Sequence, residues 1–217
     1  MSKDPLDRVK DVIRTGDIEA SLEALDKLYT QLGFLHDAAT CWLASLQTHI
    51  YRKYGLEALK EAEWEAHHIE GSLQMLPPEN DDFKTVVEHT CRMINGHFWQ
   101  PVTVTEDDEK VMIKVHPCGS GNRVVAKGWY GDDKLARVKE ACDITWQCED
   151  FPIYCVHCPI QELMEIERTG YLKFAHHLES EAGPGSECCT YLIYKNRDDI
   201  PEFYYDRIGV KKPAPAE

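Results

Sequence analysis

Two thiols and an imidazole crowd into six residues of this chain, Tyr154-Cys155-Val156-His157-Cys158-Pro159. A turn carrying C-x-x-C aims both sulfurs at one tetrahedral ion, and soft thiolates suit zinc or iron better than magnesium or calcium. A second half-site, His116-Pro117-Cys118-Gly119-Ser120-Gly121, lies upstream, and the pair Cys188-Cys189 lies downstream. Cys118 follows a proline and precedes Gly-Ser-Gly, which sets its thiol on a turn rather than inside a strand. Cys118, Cys155, Cys158 and Cys189 are the candidate metal ligands. Spacing does not separate Cys188 from Cys189, because neighbours on a strand point to opposite faces. Zinc is the expected ion, with iron or manganese as alternatives.

Two other readings compete for the same cysteines: a redox pair at Cys155 and Cys158, and reduced thiols that only pack. The helix expected after Pro159 would lower a thiol pKa as in thioredoxin-like sites. However, the strand before Tyr154 is short at best, so the strand–motif–helix setting of such sites is missing. His116 and His157 adjoin the presumed ligands and are candidates for a catalytic base, as well as for a backbone-bonded histidine of no special role. Gly119, Ser120 and Gly121 form a permissive turn whose N–H groups suit an anion or a developing oxyanion. Arg123 is a candidate to grip a substrate carboxylate, and Trp99, in Gly96-His97-Phe98-Trp99, a candidate pocket wall. The pairs His67-His68 and His176-His177 read as surface residues, and Cys41 and Cys91 as buried small hydrophobes.

The elements that carry these groups follow from periodicity. Asp4 caps a first short helix that fades at Thr15-Gly16. Leu22, Leu25, Leu28 and Leu32 mark a second helix that Gly33 should break, and a third covers 36–54 with Ala39, Trp42, Leu43, Leu46 and Ile50 at spacings of three and four. A fourth runs from Leu56 towards Gly71, so residues 1–76 read as a helical amino-terminal bundle. Residues 77–82, Pro-Pro-Glu-Asn-Asp-Asp, read as a linker, and 83–95 as one more helix. From Pro101 the apolar period drops to two: Val102 and Val104, an acidic turn at 106–109, then Val111, Ile113 and Val115, a hairpin that delivers His116 and Cys118. Val124-Val125-Ala126 reads as a strand, 134–142 and 161–168 as helices, 190–194 as a strand and 200–208 as a short helix. The expected fold class is α+β: the helical front packed with a small mixed or antiparallel sheet domain, 83–210, that carries the cysteine-rich metal site. Residues 211–217 read as a disordered tail.

Composition excludes some partners. The 217 residues carry 38 acidic against 24 basic side chains, a net charge of −14, with no segregated basic patch, which disfavours nucleic acid and anionic lipid. No apolar run reaches membrane-spanning length, and no export signal opens the chain, so a cytoplasmic location is expected. Nine cysteines in a reducing compartment are then ligands or reactive thiols rather than a disulfide framework. The expected partner is a small molecule, and the composition leaves room for a homo-oligomer.

Tyr51 to Gly55, Glu-Asp-Asp-Glu-Lys at 106–110, His-Pro-Cys-Gly-Ser-Gly at 116–121, Tyr-Cys-x-His-Cys at 154–158 and the closing Cys-x-x-x-x-Tyr-Lys at 189–195 together resemble the L-2-amino-thiazoline-4-carboxylate hydrolase family, mainly over residues 106–195. The resemblance implies a hydrolase that opens a small ring at a carbon–nitrogen bond and is sensitive to metal and thiol reagents. This chain departs from the simplest members in its thicker cysteine cluster. A fainter likeness is to the 4-vinyl reductase domain, which implies small-molecule binding beside a zinc without turnover. Two functions follow. In the first, a metal-assisted hydrolase acts on a small, carboxylated, heterocyclic or amide-like substrate, with His157 or His116 moving the proton. In the second, a zinc-stabilised binding module lines its pocket with Phe98, Trp99, Trp129, Tyr130, Trp146 and Tyr154.

Overall fold

The computed structural model describes residues 4–73, 75–79, 82–95, 102–115, 118–178 and 189–215. In chain order its helices and strands are α1 (Pro5–Arg14), α2 (Ile18–Tyr54), α3 (Leu56–His67), α4 (Glu70–Leu73), α5 (Phe83–Asn95), β1 (Val102–Glu106), β2 (Lys110–Val115), α6 (Gly121–Ala126), β3 (Arg137–Val138), β4 (Phe151–Pro152), α7 (His157–Thr169), β5 (Ala175–Leu178), β6 (Cys189–Tyr194) and α8 (Glu202–Asp206). Short 3-10 turns lie at Asp143–Thr145, Ile153–Val156 and Arg197–Asp199. The architecture is α+β, and it divides into two compact units, Met1–Trp42 and Leu43–Glu217. Among the described residues no helix is long and apolar enough to cross a membrane.

In the first unit α1 is begun by Asp4, whose carboxylate accepts from the Leu6 N–H at 2.8 Å. Gly16 ends that helix region with φ +77°. Gly33 does not end anything: α2 passes straight through it. A helical glycine costs about 1 kcal/mol relative to alanine but does not force an end. The apolar positions Leu25, Leu28 and Leu32 stay in phase with Ala39, Leu43 and Leu46, so one helix serves both stretches. Ile18, Leu22, Leu25, Tyr29, Phe34, Leu35 and Trp42 of that unit are exposed.

The second unit is organised by an antiparallel sheet in the order β1-β2-β6-β5. The hairpin read from the period-two stretch is present, with Val102 opposite Val115 and Glu106 opposite Val111. β6 then pairs with both β2 and β5, so that Cys189 stands opposite Val115 on one side and Leu178 on the other. Tyr191 stands opposite Ile113 and His176 in the same way. Period-two alternation therefore puts Ile113, Val115, Cys189, Tyr191, His176 and Leu178 on one face. β3 and β4 form a separate two-stranded ribbon.

Three expected elements are corrected. Residues 124–126 are helical, in α6, although their β-branched character favours a strand; the start of this helix is committed to a sulfur, described below, and tertiary context outweighs propensity. Residues 134–142 are not helical. Their backbone is used elsewhere: Leu135 N–H donates to the Trp129 carbonyl, Ala136 N–H to Thr48 Oγ1 and Lys139 N–H to Tyr51 Oη. The helix expected at 161–168 begins earlier, at His157, inside the C-x-x-C motif. Of the expected linker, residues 80 and 81 lie outside the described residues, and Asp82 caps α5 by accepting from the Thr85 N–H at 3.3 Å.

Candidate functional site

Four cysteines from three separate stretches of chain meet at one cavity of about 50 Å³ in the second unit. Cys118 arrives from the segment after β2. Cys155 sits in the 3-10 turn Ile153–Val156, and Cys158 on the first turn of α7. Cys189 opens β6. Ser120, Gly121, Asn122, Trp146, Tyr154, His157, His176, Leu178 and Tyr191 complete most of the wall. Such a volume holds an ion and a few water-sized groups, far less than the ~300 Å³ at which small-molecule pockets begin.

Each sulfur has a different electrostatic setting. The Cys118 sulfur accepts from the Cys189 thiol and from the backbone N–H groups of Ser120, Gly121 and Asn122, which together outweigh its burial and bring its pKa down to about 5. Cys155 is pushed up by burial and by the charge of Cys118. Cys158 is pushed well up by burial and by Cys155, Cys118 and Glu162. Cys189 is pushed well up by donating to Cys118, then by burial and the neighbouring sulfurs. Cys118 is thus the sulfur favoured as thiolate, and its charge opposes ionisation of the other three. The N–H groups of 120 and 121, expected to serve an oxyanion, are committed to the Cys118 sulfur instead. Gly121 is required by proximity, because a Cβ on it would lie 2.8 Å from Cys155 Sγ.

His157 lies between the two thiols as the motif implies. Its Nδ1 is 2.5 Å from the Tyr154 carbonyl, which can only accept, so Nδ1 carries the proton. Its Nε2 lies 3.4 Å from Cys158 Sγ. Arg123 is half-buried on α6 and does not line the cavity. Cys41 and Cys91 are half-buried rather than buried. His116, Trp99, Phe98, His97 and Cys188 lie outside the described residues. Of the aromatic residues proposed to line a ligand pocket, Trp146 and Tyr154 do so; Trp129, under Lys127 Nζ at 4.7 Å, and Tyr130, under Arg137 at 4.9 Å, are not among the residues that line the cavity.

Sequence reasoning missed a histidine. His176, read as a surface residue, is fully buried and lines the cavity. On a strand, neighbours face opposite ways, so one member of His176-His177 is sent inward; the apolar flanks Phe174, Ala175 and Leu178 were the available signal. Nδ1 of His176 donates to Glu162 Oε1 at 2.9 Å, and its backbone N–H donates to the same oxygen at 2.7 Å. Nε2 has no hydrogen-bond partner among the described residues. Rings of Tyr191, Trp146 and Phe174 enclose the imidazole at centroid distances of 4.4, 5.1 and 5.4 Å.

Glu162 anchors this inner wall. It is fully buried one helical turn beyond Cys158. Arg207 Nη2 donates to Oε1 at 2.7 Å and Trp146 Nε1 donates to Oε2 at 2.8 Å. Burial alone would raise the carboxyl pKa, but the Arg207 charge and the His176 hydrogen bonds bring it below its ordinary value. Arg207 in turn lies 4.6 Å over the Trp146 ring. Trp146, which lines the cavity, and Gln147 hold left-handed φ values of 49° and 60°, strained for side chains of this size.

The donors suit a soft or borderline divalent ion in kind: sulfurs and a buried imidazole nitrogen without a partner. As placed, they are not drawn around a single point, and among the described residues no three His, Cys, Asp or Glu side chains form a coordinating group. Cys118 and Cys189 hydrogen-bond to each other instead. Comparison with family models, with curated proteins and with solved structures finds no match to this chain.

Proposed function

We propose that the cavity is a thiolate metal centre, for zinc foremost, and that the protein is a hydrolase acting on a carbon–nitrogen bond of a small, carboxylated, heterocyclic or amide-like molecule. One observation carries the metal reading. Cys118, Cys155, Cys158 and Cys189, up to 71 residues apart in sequence, line a single small cavity in which burial and the charge of Cys118 push the other three thiols up. Four convergent sulfurs gain little as packing groups in that arrangement, whereas a divalent cation favours all four as thiolates and binds them. A sulfur-rich set favours zinc or iron and fits manganese, an oxygen-seeking ion, poorly.

An ion held there supplies Lewis acidity, polarising a carbonyl-like or amidine-like carbon and easing loss of a proton from water. The chain supplies the rest. With Nδ1 fixed on the Tyr154 carbonyl, His157 presents Nε2 as its basic nitrogen, suited to take and return a proton. At about 50 Å³ the cavity admits the reacting atoms, so the body of the substrate lies outside it. Arg123 does not line the cavity, so under this reading a carboxylate gripped by it lies beyond the cavity.

The test is metal content per chain by plasma mass spectrometry, before and after Cys155→Ala, followed by ammonia release from a panel of carboxylated heterocycles and amides. About one zinc per chain is expected, falling several-fold in the variant, with hydrolysis lost on chelation and restored by zinc. A chain that takes up no zinc, iron or other divalent ion removes the metal reading; a metal-loaded chain that hydrolyses nothing in the panel removes the hydrolase.

A second reading is favoured by one feature. Three backbone N–H groups and a thiol are aimed at the Cys118 sulfur, an arrangement that supports a nucleophilic thiolate without metal. Under that reading zinc-free protein forms a covalent adduct with substrate at Cys118, seen by mass spectrometry. The disulfide-exchange alternative at Cys155 and Cys158 gains no such support, since burial and the neighbouring sulfurs push both thiols up.

A further inference from the structure

We infer that His176 is a nitrogen ligand of this centre, oriented by Glu162, so that the ion takes a mixed sulfur–nitrogen set rather than sulfur alone; the inference rests on the thiolate-centre reading above. Three features of the inner wall converge on it. The imidazole is fully buried and lines the cavity shared by the four cysteines. Its Nδ1 is taken by a carboxylate, which accepts from it at 2.9 Å and therefore fixes the proton on that nitrogen. Its Nε2 finds no partner among the described residues, although a buried polar atom left alone costs roughly 1–3 kcal/mol.

A carboxylate holding one ring nitrogen while the other is left for a cation is the arrangement that makes histidine a strong ligand: the tautomer is set, the ring cannot flip and the free nitrogen becomes more basic. The surroundings enforce it. Glu162 is held by Arg207 and Trp146 as well as by the His176 side chain and backbone, which fixes the carboxylate against the ring. Three aromatic rings pack round the imidazole. The anchor also lies one turn along α7 from Cys158, which ties the nitrogen and a sulfur to the same helix. Cys189 and His176 share a sheet face across the β5–β6 pairing. A nitrogen in the set carries a chemical consequence: replacing a thiolate by neutral imidazole leaves the ion a stronger Lewis acid.

Zinc alone is the probe, with the whole 217-residue chain. X-ray absorption at the zinc edge is expected to show a nitrogen shell at about 2.0–2.1 Å beside sulfur at about 2.3 Å. His176→Ala should lose the nitrogen shell and weaken zinc binding at least ~10-fold in competition with a chromophoric chelator. Glu162→Gln should keep that shell and weaken binding about 10- to 100-fold. An all-sulfur shell in the unaltered protein overturns the assignment of His176 and leaves the thiolate centre standing. A chain that binds no zinc overturns both. The spectrum of the unaltered protein decides even where His176→Ala does not fold, and a purely structural role for His176 would change stability without changing that spectrum.

Discussion

Gly121 and Cys155 approach so closely that a single methyl group separates a fitting site from a clashing one: a Cβ on Gly121 would lie 2.8 Å from Cys155 Sγ. The start of α6 can therefore reach the C-x-x-C turn only through a glycine. Gly121→Ala is expected to destabilise the protein by about 1–3 kcal/mol, as overpacking of a buried contact does. Cys155→Ala removes the obstacle, so the double variant should lose less than the sum of the two, with a coupling on the order of 1 kcal/mol. Urea unfolding of the four proteins checks this, and additive losses would show that the sulfur is not what the glycine accommodates.

Glu165 is fully buried on α7, with Oε1 accepting from Arg168 at 3.1 Å and Oε2 without a partner among the described residues. Burial raises its pKa to about 7, against the opposing charges of Arg168 and Lys173. The folded chain thus holds a proton between about pH 4.3 and 7 that the unfolded chain releases, and stability falls as pH rises through that window. The penalty is absent below pH 4 and complete above pH 7. Glu165→Gln removes it, and should stabilise the protein at pH 8 by up to ~3 kcal/mol while changing little at pH 4. Thermal unfolding at the two pH values measures the difference; equal effects at both would refute the assignment.

Tyr51 connects the carboxy-terminal end of α2 to the irregular segment that replaces an expected helix. Its hydroxyl donates to Glu140 Oε2 at 2.6 Å and accepts from the Lys139 N–H at 3.1 Å. Glu140 is lowered from its ordinary pKa by that hydrogen bond first. Tyr51→Phe should cost about 1–2 kcal/mol and speed amide exchange at Lys139. Unchanged exchange at that amide would mean the bond does not order the segment.

The second strand of the hairpin was legible because one of its faces is buried, which imposes strict alternation on Val111, Ile113 and Val115. The cysteines were legible by type: soft ligands at a turn spacing are rare without a purpose. Other parts depend on contacts between distant residues. Nothing local distinguishes Val124-Val125-Ala126 from a strand until the N–H groups before it are seen bound to the Cys118 sulfur. Residues 134–142 resemble a helix in composition, yet their N–H groups find Thr48 and Tyr51, some 90 positions earlier. His176 was hidden by adjacency to His177, since a pair of neighbouring histidines reads as polar surface unless the segment is known to be a strand. Its carboxylate partner comes from a helix 14 positions away, and no spacing rule anticipates that.

Arg207 is the counter-charge on which this inner wall depends. The guanidinium is almost fully buried, donates to Glu162 at 2.7 Å, and lies 4.6 Å from the Trp146 ring and 4.7 Å from the Tyr204 ring. Removing it leaves a buried carboxylate beside Cys158 without its counter-charge. Arg207→Met, which keeps the side-chain volume, should therefore cost about 3–5 kcal/mol. It should also raise the Glu162 pKa, since the Arg207 charge is the first influence that opposes burial there. Combining it with Glu162→Gln replaces the charge by a neutral group that still hydrogen-bonds His176, and part of the loss should return. Trp146 reports locally, because its ring touches Arg207 and its indole N–H touches Glu162; a shifted emission maximum in Arg207→Met that reverts in the double variant would place the effect at this contact. A double variant no better than Arg207→Met alone would mean that the guanidinium acts through packing against the rings and not through the carboxylate.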